Sequence, residues 1–104
     1  MERGEIRWYK FEQPDKRRPV VILTRSSAIR FLGEVTVAPI TSAIRTIPTE
    51  VMLDEKDGMR KVCAINLDHI QTVSKNKVGS FIARLSQAKL KQIKPALLFA
   101  LGFD

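Results

Sequence analysis

The apolar residues between Glu5 and Ile82 come in short runs rich in β-branched side chains, separated by clusters of polar turn formers. Runs of this length are typical of small antiparallel β proteins, because each strand buries one or both faces and then reverses. The pattern predicts strands at Ile6–Phe11, Pro19–Leu23, Val35–Ala38, Val51–Leu53, Val62–Ile65 and Ile70–Val73. It also predicts turns at Gln13–Asp15, Asp54–Gly58 and Ser74–Lys77, and one helical turn at Ser26–Phe31.

The hydrophobic period changes after Ser86, a residue type suited to cap the N-terminus of a helix. The residues that then form one helical stripe are Leu90, Ile93, Leu97, Ala100 and Leu101. They predict a C-terminal helix packed onto the strands. Pro95 is expected to kink or restart this helix, because it has no N–H to donate to the carbonyl of residue 91. Phe99 lies off the stripe, so a second surface is expected to cover it.

Short strands followed by one helix predict a mainly β fold. We expect a small, strongly bent antiparallel sheet or barrel that the C-terminal helix closes. At 104 residues, the chain is expected to form one domain over residues 1–104, without room for separate catalytic and binding domains.

The charge balance of the chain favours polyanionic partners. Lys and Arg number 18 against 11 Asp and Glu, a formal net charge of +7. Nucleic acid is the first expectation and an acidic protein the second, although charge alone also fits a basic protein that binds neither. No signal-peptide segment and no apolar run of membrane-spanning length is recognisable, so we expect a cytoplasmic protein with no membrane partner.

Cysteine and histidine are too few for the common metal sites. The one cysteine, Cys63, excludes an intrachain disulfide, and with the one histidine, His69, it excludes the ligand sets of structural zinc sites. The acidic cluster at Asp54–Asp57 lies in a predicted turn, which favours a solvated loop over a metal site. We therefore expect no metal and no other cofactor.

Two segments beside buried strands carry candidate chemistry. Lys16-Arg17-Arg18 directly precedes the strand at Pro19–Leu23. A guanidinium there can match two phosphate oxygens, or the triplet can be a solubilising charged loop. Pro39-Ile40-Thr41-Ser42 follows another strand, and its two hydroxyls can donate to phosphate or make a side-chain turn.

Taken in order, these segments resemble the PemK/MazF family of toxin endoribonucleases. The pieces that carry the resemblance span nearly the whole chain: Arg3-Gly4-Glu5-Ile6 with Trp8, Arg18-Pro19-Val20-Val21-Ile22, Pro39-Ile40-Thr41-Ser42, Asn66-Leu67-Asp68-His69-Ile70-Gln71-Thr72-Val73, and a leucine-rich helix ending in Leu101-Gly102. The resemblance implies an SH3-like, partly closed antiparallel β-barrel with a C-terminal α-helix, assembled as a homodimer.

The same resemblance implies a function. We expect sequence-specific, metal-independent cleavage of single-stranded RNA, often mRNA, restrained by an antitoxin whose acidic, disordered segment occupies the RNA groove. By position, the family's catalytic arginine and threonine fall on Arg18 and Thr41. Residues expected to contact RNA are Lys16, Arg17, Ser42, Asp68 and His69.

RNA is cut without a metal when its 2′-OH attacks the adjacent phosphorus, which leaves a 2′,3′-cyclic phosphate and a 5′-OH. Arg18 fits the stabilisation of the extra negative charge, and Thr41 can donate to a non-bridging oxygen. The general base stays open between two residues. A guanidinium such as that of Arg18 hardly ever loses its proton, whereas an imidazole such as that of His69 ordinarily titrates near about pH 6.5.

The chain departs from the family pattern at two places. The loop from Glu12 to Arg17 is shorter than usual and lacks the common glycine and Glu-Gln pair, so no cleavage sequence carries over. His69 stands where glutamine is common. Two other function classes also stay open: a gyrase poison like CcdB, although CcdB ends in Trp-Gly-Ile and this chain in Leu101-Gly102-Phe103-Asp104, and a non-catalytic RNA-binding module.

Overall fold

The computed structural model describes residues 1–12 and 16–104, so the predicted turn at Gln13–Asp15 lies outside the described residues. The strands are β1 Glu5–Phe11, β2 Lys16–Ile22, β3 Glu34–Thr41, β4 Glu50–Leu53, β5 Cys63–Asn66, β6 Gln71–Ser74 and β7 Phe81–Arg84. The helices are α1 Ser26–Ile29 and α2 Gln87–Leu101, with short 3-10 helices at Glu55–Asp57, Leu67–His69 and Lys75–Lys77.

The strands form one curled antiparallel sheet in the order β4-β5-β3-β2-β1-β7, and β6 also pairs with β3. Alternation along β2 sends Val20 and Ile22 into one apolar cluster and Val21 into another, and all three side chains are fully buried. The cluster around Val21 packs against α2. The structure therefore confirms the predicted fold class, a partly closed antiparallel β-barrel with a C-terminal helix, and the prediction that the second strand is covered on both faces.

The second strand begins earlier than the sequence predicts. β2 starts at Lys16, because its first residues pair with β1: Lys16 with Phe11, Arg17 with Lys10 and Arg18 with Tyr9. The basic triplet thus belongs to a strand and not to the preceding loop. Since neighbouring residues of a strand point to opposite faces, Arg17 and Arg18 leave the sheet on opposite sides.

The strand β7 was not predicted from the sequence. It has only four residues, its side chains are exposed or half-buried, and it pairs only with the start of β1. Buried Glu5 links β1 to β7 by ion pairs, since its carboxylate oxygens lie 2.7 Å from Arg7 Nε and 3.2 Å from Arg84 Nη2. Burial alone would raise the pKa of the Glu5 carboxyl, but the hydrogen bond and charge of Arg7, together with Arg84, lower it overall.

The C-terminal helix begins as predicted and runs through its proline. Ser86 Oγ accepts a hydrogen bond from the Lys89 N–H at 3.2 Å, which confirms the N-cap. Of the two outcomes expected at Pro95, a kink or a restart, the restart is wrong, because α2 is one helix from Gln87 to Leu101. Pro95 lies on the exposed side, where water can satisfy the carbonyl of residue 91, while buried Ile93 and Ala96 hold both neighbouring turns on the sheet.

The end of α2 leaves apolar side chains on the surface. Leu101, assigned to the buried stripe by its spacing, is 51% exposed, and Phe99 is 49% exposed. Phe103 follows the helix and is 76% exposed. Gly102 ends the helix in a left-handed conformation with φ 79°. Neither described helix has the length and apolar character needed to cross a lipid bilayer.

Candidate active site

A groove with a volume of about 720 Å³ opens where β2 begins and β3 ends. Its polar lining consists of Arg18, Thr41, Arg45, Asn66, His69 and Gln71. Phe11, Pro39 and Ile44 add apolar surface. A groove that joins two guanidinium groups to hydroxyl, amide and imidazole groups is suited to an anionic ligand with hydrogen-bonding edges.

The groove forms where β3 changes partner. Through Glu34–Val37 this strand pairs with β6, and through Ile40–Thr41 it pairs with β5. Pro39 lies between the two ladders. The 3-10 helix at Leu67–His69 joins β5 to β6, so it spans the gap between them. The residues at the two ends of this connection, Asn66 and His69, therefore open onto the groove.

Arg18 and Thr41 come together through the register of β2 and β3. Val20 pairs with Pro39 in this antiparallel ladder, so two residues further along β2 Arg18 stands across from Thr41. Arg18 is half-buried, and both residues line the groove. These two residues, which the family resemblance identified as the catalytic pair, therefore open onto the same groove.

Thr41 makes the side-chain turn that was one of its two predicted roles. Its Oγ1 accepts a hydrogen bond from the Ala43 N–H at 3.0 Å. Because a hydroxyl has two lone pairs and one proton, this bond leaves the Thr41 O–H as a donor. The turn therefore fixes the hydroxyl at the mouth of the groove and still allows it to donate to a ligand.

Arg45 is a groove residue that the sequence analysis missed. It lies in the loop after β3, and the Glu50 carboxylate shapes that loop: Oε1 accepts from the N–H groups of Arg45 at 3.0 Å and Thr46 at 2.9 Å. Thr46 has φ 55°, an uncommon conformation for a residue other than glycine. A contact between a strand residue and a loop backbone leaves no pattern in the sequence, so no signal pointed to Arg45.

Asn66 and His69 are joined by a hydrogen bond. Asn66 Nδ2 lies 3.2 Å from His69 Nδ1, and Asn66 Oδ1 accepts from the Asp68 N–H at 2.9 Å. Asn66 is buried at the end of β5, whereas His69 is exposed in the groove. His69 was expected to line the groove, but Asn66 was not.

Four of the predicted RNA contacts lie outside the groove lining. Lys16 and Ser42 are exposed beside it, and Asp68 Oδ2 accepts a hydrogen bond from Thr49 Oγ1 at 2.6 Å. The Arg17 guanidinium stacks over the Trp8 ring, 4.3 Å from its centroid. Of the predicted site residues, the structure brings Arg18, Thr41 and His69 into one groove.

The part of the groove lining that the structure describes includes two arginines and no carboxylate. Among residues 1–12 and 16–104, no three His, Cys, Asp or Glu side chains are grouped so that they could hold a metal ion. The acidic turn after β4 is used locally, because Asp54 Oδ1 accepts from the Lys56 N–H and Asp57 Oδ2 from the Asp54 N–H. Cys63 is buried in β5 and burial raises the pKa of its thiol, so it is a poor nucleophile.

Comparison with known proteins connects this geometry to one family. Residues 2–101 match the family model described as PemK-like, MazF-like toxin of type II toxin-antitoxin system. A relative from Mycobacterium tuberculosis named Endoribonuclease MazF3 is 40% identical over 90 residues, which are 86% of this chain and 84% of the relative.

Solved structures give the same result. The Mycobacterium tuberculosis toxin MazF-mt6 superposes with a TM-score of 0.89 at 32% identity, covering 96% of this chain and 98% of that one. A structure described as an endoribonuclease in complex with its cognate antitoxin, from a mycobacterial species, has a TM-score of 0.89 at 26% identity and covers 100% and 97% of the two chains. The fold thus has counterparts over nearly the full length of these proteins.

Proposed function

Because the chain belongs to the PemK-like, MazF-like toxins of type II toxin-antitoxin systems, we propose that it is an endoribonuclease toxin that cuts single-stranded RNA in the Arg18–Thr41 groove. The observation that carries the proposal is that Arg18 of β2 and Thr41 of β3, two neighbouring strands, line one groove, with no carboxylate among the described residues of its lining. Relatives named endoribonucleases support the reaction class. Residues 1–104 act as one toxin domain in the cytoplasm, where mRNA is the expected substrate.

The proposed reaction is an internal transesterification. The RNA 2′-oxygen forms a bond to the adjacent phosphorus and loses its proton, while the bond from phosphorus to the 5′-oxygen breaks and that oxygen gains a proton. A phosphorane with an added negative charge lies between reactant and products. The Arg18 guanidinium faces that charge, and the Thr41 hydroxyl donates to a non-bridging oxygen. The products are a 2′,3′-cyclic phosphate and a 5′-OH.

The groove also fits the single-stranded form of RNA. Phe11 offers a ring on which an unstacked base can lie, and the side chains of Gln71 and His69 offer hydrogen bonds to base edges. Base-paired RNA keeps its bases stacked in the duplex, so it cannot present them to these residues. Cleavage at a short sequence follows if these contacts distinguish one base from another.

The same charges suit an antitoxin. Arg18 and Arg45 in the groove, within a chain of net charge +7, attract an acidic, disordered segment that would cover the RNA site. A mycobacterial endoribonuclease of this fold is described in complex with its cognate antitoxin, which supports such a partner here. The exposed apolar end of α2 supports a homodimer with two equivalent grooves.

The decisive experiment is cleavage of an unstructured RNA by the purified protein in excess EDTA, followed by analysis of the new ends. We expect fragments with 5′-OH and 2′,3′-cyclic phosphate ends. Cleavage that requires added magnesium would refute the metal-independent mechanism. RNA that is bound but left intact would indicate a binding module, and inhibition of gyrase without RNA cleavage would indicate the CcdB-like alternative.

A further inference from the structure

Asn66 is held in one orientation by its own backbone turn. Its side chain is almost fully buried, with 4% exposed, and its Oδ1 accepts the Asp68 N–H at 2.9 Å. Only the oxygen of an amide can accept a backbone N–H, so this bond decides which end of the amide is Oδ1 and which is Nδ2. The Nδ2 group therefore points to the imidazole of His69.

The orientation of Asn66 determines the tautomer of His69. An amide nitrogen donates and does not accept, so at 3.2 Å from Asn66 Nδ2 the ring atom His69 Nδ1 must be the acceptor. A neutral imidazole carries one proton, and with Nδ1 accepting, that proton lies on Nε2. Nε2–H is then the group that the ring offers to a ligand in the groove.

We propose that Asn66 is a positioning residue that holds His69 as the Nε2–H tautomer, so that His69 meets the RNA as a hydrogen-bond donor and not as the general base. This inference rests on the proposed function for its RNA ligand. The assignment of the tautomer itself rests only on the contacts of Asn66. With His69 donating to an acceptor oxygen of the RNA, its role does not depend on removing the 2′-OH proton.

The tautomer can be read directly, because His69 is the only histidine in the chain. A long-range ¹H–¹⁵N spectrum of the full-length ¹⁵N-labelled protein shows one imidazole. At alkaline pH, where the ring shifts no longer change with pH and the imidazole is therefore neutral, we expect an unprotonated Nδ1 and a protonated Nε2. A wild-type ring with its proton on Nδ1 would overturn the proposal.

The almost isosteric variant Asn66→Asp replaces the hydrogen-bond donor beside His69 Nδ1 with an acceptor. In Asn66→Asp, one carboxylate oxygen still accepts the Asp68 N–H, while the other replaces Nδ2 beside the ring and accepts instead of donating. We expect a proton to appear on Nδ1, with the backbone spectrum otherwise preserved. An Nδ1 that stays unprotonated in this folded variant would show that Asn66 does not choose the tautomer.

Thr49→Val is the matched control for the turn. Thr49 braces the same 3-10 helix from the other side through its 2.6 Å bond to Asp68, without a hydrogen bond to the ring. This variant should keep the Nε2–H tautomer. If it shifts the proton to Nδ1 as Asn66→Asp does, the turn as a whole positions His69 and the assignment to Asn66 is wrong.

Cleavage rates test the donor role through a double-mutant cycle. Asn66→Asp should lower the rate about 10- to 100-fold, because Nε2 loses its proton to Nδ1. His69→Gln keeps an amide N–H donor and has no tautomer, so it should change the cleavage rate less than about tenfold. When Asn66→Asp is added to His69→Gln, the further loss in cleavage rate should be much smaller than the loss that Asn66→Asp causes alone.

Equal losses in both backgrounds would refute the donor role, as would a loss of about 100-fold or more in His69→Gln with unchanged RNA affinity. If the wild-type protein cuts no RNA at all, the proposed function fails and the donor role fails with it. The imidazole spectrum still decides whether Asn66 sets the tautomer, so the two failures are distinguishable.

Discussion

The Arg17 guanidinium lies 4.3 Å above the centre of the Trp8 ring, on the opposite side of the sheet from its neighbour Arg18. Two adjacent arginines in one strand thus have separate tasks. Arg17 covers an aromatic ring of β1, and Arg18 lines the groove. The pair is a matched set for testing which cation takes part in the reaction.

Arg18→Ala should lower kcat for RNA cleavage by about 10²- to 10³-fold, because it removes a charge aimed at the transition state. Arg17→Ala removes the same charge from the other face. It should raise KM by no more than a few-fold and lower stability by about 0.5–1 kcal/mol through loss of the cation–π contact. Single-turnover kinetics and thermal melts measure both effects. A wild-type kcat in a folded Arg18→Ala protein would contradict the assignment.

The role of the Thr41 hydroxyl can be tested by replacing it with a methyl group. Thr41→Val keeps the shape of the side chain but removes the donor to RNA and the acceptor for the Ala43 N–H. We expect a loss of about 10²-fold in kcat, whereas Thr41→Ser, which keeps the hydroxyl, should stay within about tenfold of wild type. Equal rates for the two variants would show that the hydroxyl only shapes the turn.

The Glu5 carboxylate should make the fold sensitive to acid. Its pKa in the folded protein lies below the ordinary value of 4.5, so the unfolded chain binds the proton more readily. The stability that Glu5 contributes is complete above pH 4.5 and is lost as the pH falls through the folded pKa. Glu5→Gln should therefore lower the free energy of unfolding near neutral pH by about 1–3 kcal/mol, and the melting temperature should fall with it. The difference from the wild-type protein should shrink in acid.

Melting curves from about pH 7 to about pH 3 measure this difference. Glu2→Gln is the control, because Glu2 is exposed and lies 3.7 Å from Arg84, and an exposed pair of this kind contributes little. A wild-type advantage over Glu5→Gln that does not change with pH would contradict the ion-pair account.

The exposed end of α2 predicts the oligomeric state. Phe99, Leu101 and Phe103 are 49%, 51% and 76% exposed, and several exposed apolar side chains at the end of one helix favour a subunit interface there. Light scattering should show a dimer at micromolar concentration, and Phe99→Asp should shift it toward the monomer. Phe31→Asp, at a ring after α1 that is even more exposed than Phe99, should leave the dimer intact. A monomeric wild-type protein would contradict the prediction.

Hydrophobic patterning predicted the strands that have buried faces and the terminal helix, since burial leaves a period in the sequence. It missed β7, which is half exposed, and the start of β2, where Lys16 and Arg17 are held by pairing with β1 and not by burial. Arg18 and Thr41 were candidates because they adjoin apolar strands, and the resemblance to the PemK/MazF family identified them as the catalytic pair. Asn66 was missed as a site residue because its role depends on the hydrogen-bond geometry of one short turn.

The change of partner along β3 has a consequence for biosynthesis. Arg18 and Thr41 become neighbours only through pairing of β2 with β3, and the groove is complete only after β5 and the turn at His69 have joined the same strand. Pairings between residues so far apart in the sequence form slowly, because the chain between them must first close into a loop. A nascent chain that has not yet exposed His69 therefore holds no finished groove, even when the Arg18 and Thr41 segments have already been made.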